Sequence, residues 1–351
     1  MMPPLPKDDI DLILTHTVRL WEEMRDSRLF LTGGTGFFGC WLVESFLAAN
    51  RQFDLQAQIT VLTRSPKAFR EKCPHLADDP ALTLLHGDVT NFDFPSGEYP
   101  YVIHAATEAS AKMIAEQPRQ MLATILDGTR RSLDFATTHG TRKYLLTSSG
   151  AVYGEQPPEI THLSEDFPGA PNPVRASSVY AEGKRAAELL CAVYQATFPI
   201  ECKIARCFAF VGPHLPLDTH FAVGNFLRNA MREELILVEG DGTPRRSYMY
   251  AADLAIWLWT MLFRAPSLDP INVGSDHSIS IRELAEAVPA AIGSSSHVHI
   301  SKSPQPDTPL RQYVPSIAKA AEKLDLTCSI ELAAGLRRTA AWYGYVPATT
   351  V

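Results

Sequence analysis

Hydrophobic positions along most of the chain fall into two alternating patterns. Short apolar runs at 28–32, 58–63, 82–85, 101–104, 143–148 and 202–208 read as buried strands. Between them, apolar residues at helical spacing predict helices over 37–50, around 117–139 and over 179–197. Nearly continuous apolar strands are those covered on both faces, and regular alternation with helices makes them parallel. The pattern therefore predicts an α/β chain built on a doubly wound parallel sheet.

Ahead of the first strand, Ile10, Ile13, Leu14, Thr17, Leu20, Trp21 and Met24 form one apolar face. Asp8 or Asp9 can cap that helix, which is expected to pack on the body or on a partner subunit. Regularity weakens after Gly212, and proline-rich stretches at 156–173, 212–216 and 303–309 are of the kind that edge a site. The expected organisation is a helical extension at 1–27, a dinucleotide-binding domain at 28–211 and a smaller, discontinuous C-terminal substrate lobe. That lobe occupies most of 212–351, with about 243–264 returning to the first domain.

Composition narrows the function. The 351 residues are 46% apolar and carry 39 acidic against 32 basic side chains, a net charge of −7. No overall positive field exists to hold nucleic acid or an acidic membrane surface, so any phosphate must be met locally. The N-terminus carries Lys7, Asp8, Asp9 and Asp11 where a signal peptide needs apolar residues, and no later run is long enough to span a membrane. The chain is expected to be soluble and cytoplasmic. Cys40, Cys73, Cys191, Cys202, Cys207 and Cys328 lack paired spacing and read as reduced thiols. His162, His214 and His220 lie in separate loops, so no metal site is expected. Trp257 and Trp259, in an apolar helix, read as core.

Local chemistry begins at the first strand–helix turn. Gly33, Gly36 and Gly39 stand between the run ending at Thr32 and the helix opening at Phe37. Such a triad suits a turn that lets a pyrophosphate approach the main chain at a helix N-terminus, so the sheet is Rossmann-type. The second strand ends in Thr63-Arg64, where an NAD enzyme usually offers a carboxylate to the ribose. Arg64 can instead meet a 2′-phosphate, which favours NADP; a solvated arginine is the alternative. Asp88 follows the third strand and can either bind adenine or cap its own turn.

Tyr180 and Lys184 are spaced to share one face of a helix. A nearby ammonium and an oxidised nicotinamide favour a phenolate, which can take a proton from a hydroxyl. The strand 143–148 delivers Ser149 to its carboxyl end, where ligands bind in such sheets, and its hydroxyl can steady a developing oxyanion.

Together these segments resemble the extended short-chain dehydrogenase/reductase superfamily and, within it, the NAD-dependent nucleotide-sugar epimerase/dehydratase family. The matching text is TGGTGFFG at 32–39, GDV at 87–89, HAA at 104–106, SSGAVYG at 148–154, YAEGK at 180–184, RCFAFVGP at 206–213 and GDGTPRRSYMYAADLA at 240–255. The resemblance spans roughly 28–326. It implies Ser149, Tyr180 and Lys184 as catalytic residues. It implies cofactor contacts, with NAD or NADP, from Gly33, Thr35, Gly36, Phe37, Phe38, Gly39, Arg64, Asp88, Val89, Ala105 and Ala106, together with Tyr180 and Lys184. Ser149, Asn225, Arg246 and Arg311 are implied for a nucleotide-diphosphate sugar, and a homodimer through the Tyr180 helix and its antiparallel neighbour.

The departures carry information too. Related 4,6-dehydratases carry acids just after the catalytic hydroxyl, whereas this chain has Gly150 and Ala151. Ile125 and Ala209 replace common asparagines, and Thr107-Glu108-Ala109-Ser110 is an unusual loop; Glu108 or Glu165 could supply an acid from another direction. The expected chemistry is oxidation of the sugar, at C4, to a transient ketone followed by epimerisation, which needs no further catalytic group. Ketoreduction, then 4,6-dehydration or decarboxylation, are the alternatives, and a dinucleotide-sensing regulatory protein is the non-enzymatic one.

Overall fold

In the computed structural model, which describes residues 1–107, 111–218, 221–305 and 309–347, strand alternation sorts the core into two layers. Leu29, Leu31, Ile59, Val61, Ile103 and Leu145 enter one cluster, and Phe30, Leu62, Val102, Tyr144 and Leu146 enter the other. Successive residues of a strand point to opposite faces, so a run apolar at every position fills both. The strands are β1 Arg28–Thr32, β2 Gln58–Thr63, β3 Leu82–His86, β4 Tyr101–His104, β5 Lys143–Ser149 and β6 Glu201–Cys207. A seventh, Ile271–Val273, joins beside β6. All pair in parallel, and reading across the sheet the order is β3-β2-β1-β4-β5-β6 and then the late strand.

That order reverses between β1 and β4. Chains leaving these two strands turn to opposite faces, which opens a crevice beyond their carboxyl ends. Helices Pro118–Thr138 and Val179–Thr197 pack together on one face, over the second cluster. Helix Phe37–Gln52 and helix Ala251–Arg264, nearly all of whose residues are buried, pack against each other on the opposite side. The latter also touches β5 and β6.

The remainder consists of short pieces. Phe210–Val211 pairs with Met249–Tyr250, and Arg245–Arg246 lies between Ile279–Ser280 and Gln312–Tyr313. Helix Ala222–Met231 packs on helix Ile281–Ile292, whose start has a full capping box between Ser280 and Glu283.

The N-terminal helix runs over Lys7–Thr17 and is followed by a 3-10 turn at Trp21–Met24. Neither Asp8 nor Asp9 caps it: the preceding residue is Pro6, and Asp9 lies within the first turn, fully buried. Its carboxylate accepts from Tyr250 Oη at 2.5 Å and pairs with Arg338 of helix Leu332–Trp342. Trp342 Nε1 donates to Pro4 O at 2.9 Å, so the first and last helices are tied together on the body.

Candidate active site

Each part of the glycine-rich turn is shaped by a different contact. Gly33 has φ 74°, and a Cβ there would lie 2.5 Å from Ala105 O and 2.7 Å from Ala106 N. Those are backbone atoms at the end of β4, so any side chain would push the two central strands apart. A Cβ at Gly39 would meet Gly33 O and backbone atoms of Gly34, which is how the helix packs tightly onto its own entry turn. Gly36 differs: a Cβ there would meet only Gly33 O, at 3.4 Å, and faces open space otherwise. Helix Phe37–Gln52 begins at Gly36 with no side-chain cap, leaving its first N–H groups, those of Phe37 and Phe38 among them, at the crevice. This is a cradle that fits a pyrophosphate.

His104 anchors the opposite wall. It is buried, pairing through Nδ1 with Thr32 Oγ1 at 2.8 Å and through Nε2 with Thr129 Oγ1 at 3.2 Å. Burial and the Lys184 charge push its pKa down to about 3, so it stays neutral. Thr32 Oγ1 also accepts from Ala106 N at 3.2 Å, which holds Ala105 and Ala106 beside Gly33. Farther along the carboxyl edge, Asp88 Oδ1 accepts from Thr90 N at 3.0 Å and Thr90 Oγ1 at 2.7 Å. These bonds lower its pKa, with Arg64 adding a little, so Asp88 does cap its own turn. Val89 turns its side chain into the core against Gly128. Arg64 is exposed, and Thr63 Oγ1 accepts from Ser65 N at 3.3 Å.

The serines at the end of β5 divide their work by pleat. Ser148 Oγ donates to Glu188 Oε1 at 2.5 Å, and Glu188 also holds Arg206 through two nitrogens. Ser149 faces the other way: its hydroxyl accepts from Ala151 N at 3.2 Å and lies beside Tyr180 and a second phenol, Tyr313. Burial raises the Tyr180 pKa to about 12, with Ser149 pulling it slightly down. In the protein alone burial is the dominant influence on Tyr180 and keeps its phenol protonated. Lys184 Nζ is instead buried, donating to Thr107 Oγ1 at 2.8 Å and Thr147 O at 2.7 Å. Desolvation lowers its own pKa to about 8.

Gly150 is explained by an aromatic ring. A Cβ there would come within 2.6–2.7 Å of Phe208 ring atoms. Phe208 in turn packs on Tyr313, ring centroids 4.6 Å apart. Carboxylates are not supplied from elsewhere by Glu165, whose Oε1 accepts from Asn272 N at 2.8 Å. Glu108 lies outside the described residues. Ile125 packs on Gly183, closing the two helices together.

At the far end, pairing of Arg245–Arg246 with Gln312–Tyr313 brings Arg311, the residue before the second strand, beside the Arg245–Arg246 strand, with Arg245 N donating to Arg311 O at 2.8 Å. Arg246 is partly buried, sits 5.8 Å above the Tyr313 ring, and its guanidinium donates to Arg245 O at 2.7 Å. Desolvation lowers its pKa and Arg311 adds to that, so the two positive charges feel each other. Neither pairs with a carboxylate among the described residues. Asn225, partly exposed, lies in helix Ala222–Met231. Sequence reasoning missed Thr107, Phe208 and Tyr313; Thr107 could have been found as the residue following the β4 motif, while nothing local flags Tyr313.

The chain is similar to known proteins over most of its length. The NAD dependent epimerase/dehydratase family model matches residues 29–274. UDP-glucuronic acid decarboxylase 6 of Arabidopsis thaliana is 33% identical over 88% of this chain and 86% of its own length. The UDP-glucose 4-epimerase of Thermus thermophilus, solved in complex with NAD, superposes with a TM-score of 0.74 at 25% identity, covering 91% of this chain and all of that one. An NAD-dependent NDP-hexosamine 5,6-dehydratase involved in tunicamycin biosynthesis also gives 0.74 at 25% identity over 91% of this chain and 98% of its own. The chain belongs to the NAD dependent epimerase/dehydratase family and is an enzyme of that type.

Proposed function

We propose that this enzyme oxidises the C4 hydroxyl of a nucleotide-diphosphate sugar to a transient ketone, and that its outcome is epimerisation at C4. The observation that carries the reading is the Ser149–Tyr180 hydroxyl pair at the end of β5, with Phe208 filling the space beside Gly150 where related dehydratases place an acid.

Bound at the Gly36 cradle, NAD would accept a hydride from the sugar carbon and return it. Gly33, Thr35, Gly36, Phe37, Phe38 and Gly39 would hold the pyrophosphate, and Asp88, Val89, Ala105 and Ala106 would line the remainder. Tyr180 takes the hydroxyl proton, and Ser149 hydrogen-bonds the same oxygen as charge develops on it. With its phenol raised to about 12 in the free protein, Tyr180 needs positive charge brought by the bound cofactor to act near neutrality. Lys184 has its ammonium fixed by Thr107 and Thr147, on the same helix face as Tyr180. Arg246 and Arg311 meet the diphosphate, the bidentate guanidinium being suited to it, and Asn225 touches the nucleotide end.

Arg64, exposed and without a carboxylate partner among the described residues, supports acceptance of NADP alongside NAD. Leu189 and Val193, 64% and 53% exposed at i and i+4 on the Tyr180 helix, with Leu122 on its neighbour, support a homodimer through that pair. No helix among the described residues is long and apolar enough to cross a membrane, and the reading places the enzyme in the cytoplasm.

Decarboxylation is the second reading, favoured by the Arabidopsis relatives. A C4 ketone β to a C6 carboxylate loses carbon dioxide without an added acid, so Gly150 and Ala151 do not oppose it. The test incubates purified enzyme with UDP-, GDP-, CDP- and dTDP-sugars, UDP-glucuronic acid included, with NAD or NADPH. A product of unchanged mass with no net cofactor consumption is expected. Loss of carbon dioxide would establish the second reading, loss of water would overturn the argument from Gly150, and stoichiometric NADPH oxidation would make the enzyme a reductase.

A further inference from the structure

Cys40, Cys73 and His214 stand far apart in sequence, and their linear spacing hid what the fold does with them. Cys40 lies in the first turn of helix Phe37–Gln52, Cys73 follows helix Pro66–Lys72, and His214 lies in the loop after Phe210–Val211. One potential ligand atom from each lies within 4.8 Å of the other two, and all three residues are buried.

His214 is the informative member. It is 4% exposed, yet neither ring nitrogen has a hydrogen-bond partner among the described residues. Leaving a buried polar group unsatisfied costs about 1–3 kcal/mol, and native proteins rarely tolerate it without an unseen partner. The residue also sits at φ 69°, in the left-handed region that few non-glycine residues adopt. Two thiols, those of Cys40 and Cys73, are beside that imidazole.

We propose that Cys40, Cys73 and His214 form a structural site for a thiophilic divalent cation, with Zn²⁺ the best match. The donor set is sulfur, sulfur and imidazole nitrogen, the combination that borderline-soft ions select. Bond lengths of about 2.3 Å to sulfur and 2.0 Å to nitrogen put tetrahedral ligands roughly 3.5–3.8 Å apart, which a small inward movement from the present spacing supplies. Binding releases one proton from each thiol, and two thiolates with a neutral imidazole cancel the ion's charge. That neutrality suits a dry interior. Glu44 and His75, 3.4 Å apart, lie near the cluster.

The position of the site has a consequence for the cofactor cradle. Thr35 O, within the glycine-rich turn, accepts from Cys40 Sγ at 3.7 Å and from Lys72 Nζ at 3.3 Å. An ion held by Cys40 and Cys73 would brace that turn from behind and tie it to the loop carrying His214.

The test uses tag-free full-length protein, refolded under reducing conditions with and without Zn²⁺ and then dialysed. Elemental analysis is expected to find one zinc per chain, with a raised Tm, and Co²⁺ in its place is expected to give thiolate-to-cobalt charge-transfer absorption. Cys73→Ser and His214→Asn should each weaken uptake at least tenfold, whereas Cys191→Ser, at a buried thiol elsewhere, should leave it unchanged. Wild-type protein that folds, retains no metal and shows no cobalt–thiolate band would overturn the proposal, whether or not the variants fold. A Cys40–Cys73 disulfide in protein refolded without reductant, together with no metal uptake by the reduced form, would overturn it equally and leave the cofactor site unaffected.

Discussion

Replacing Lys184 with methionine should stabilise the cofactor-free protein near neutral pH while destroying turnover. Burial lowers this lysine from 10.5 to about 8. At 1.36 kcal/mol per pKa unit, that is a folding penalty of about 3 kcal/mol wherever the group must be charged when folded. The unfolded chain keeps the proton up to about pH 10.5 and the folded chain only to about 8. Between these values the unfolded state binds more protons, so wild-type stability from this group rises with pH; below 8 the full penalty applies. Methionine keeps the volume and removes the charge, but it deprives Thr147 O and Thr107 Oγ1 of their donor, at a cost of about 1–3 kcal/mol. The variant should therefore be more stable than wild type by about 0–2 kcal/mol at pH 7. It should fall below wild type as pH approaches 10.5, with other titrating groups cancelling in the difference. Urea unfolding of both proteins at pH 7 and pH 10 measures the gap directly. A gap that does not change between those two pH values would refute the argument that desolvation governs Lys184.

The remaining predictions concern separate parts of the site. Ser149→Ala should lower kcat by about 10²–10³ with cofactor affinity retained, whereas Ser148→Ala should chiefly lower Tm, because Ser148 serves Glu188 rather than the crevice; equal kinetic effects would contradict the division by pleat. Gly33→Ala should cost about 2–5 kcal/mol in chemical denaturation, combining the left-handed backbone with a clash against backbone atoms of Ala105 and Ala106. A loss under about 0.5 kcal/mol would show that β1 and β4 can separate there. Arg246→Ala should raise KM for the nucleotide sugar far more than it lowers kcat, since the proposed function gives its guanidinium to the diphosphate and not to the reacting hydroxyl; a pure kcat effect would place it in the chemistry instead.

The order of strands and helices and the position of the glycine-rich turn were legible in the sequence because they depend on local patterns. Strand ends at Arg28–Thr32, Gln58–Thr63 and Tyr101–His104 and the helix Val179–Thr197 occur where apolar spacing places them. The Tyr180–Lys184 spacing likewise identifies one helix face. A missed local detail was the start of the first helix, where Asp9 is not a cap: its carboxylate is taken up by Tyr250 and Arg338, partners that no window around residue 9 contains.

What only the tertiary structure decided are relations across long sequence separations. Which of two adjacent serines enters the site depends on the pleat of β5 and on Glu188 forty residues later. That Gly150 must be glycine depends on Phe208, and Tyr313 reaches Ser149 only because its short strand pairs beside Arg245–Arg246. The Cys40, Cys73 and His214 cluster is of the same kind. Local propensity and periodicity are properties of neighbouring residues, so one sequence contains them. Contacts between distant segments arise from how hydrophobic layers pack and how strands pair, and the positions of these side chains follow from that packing alone.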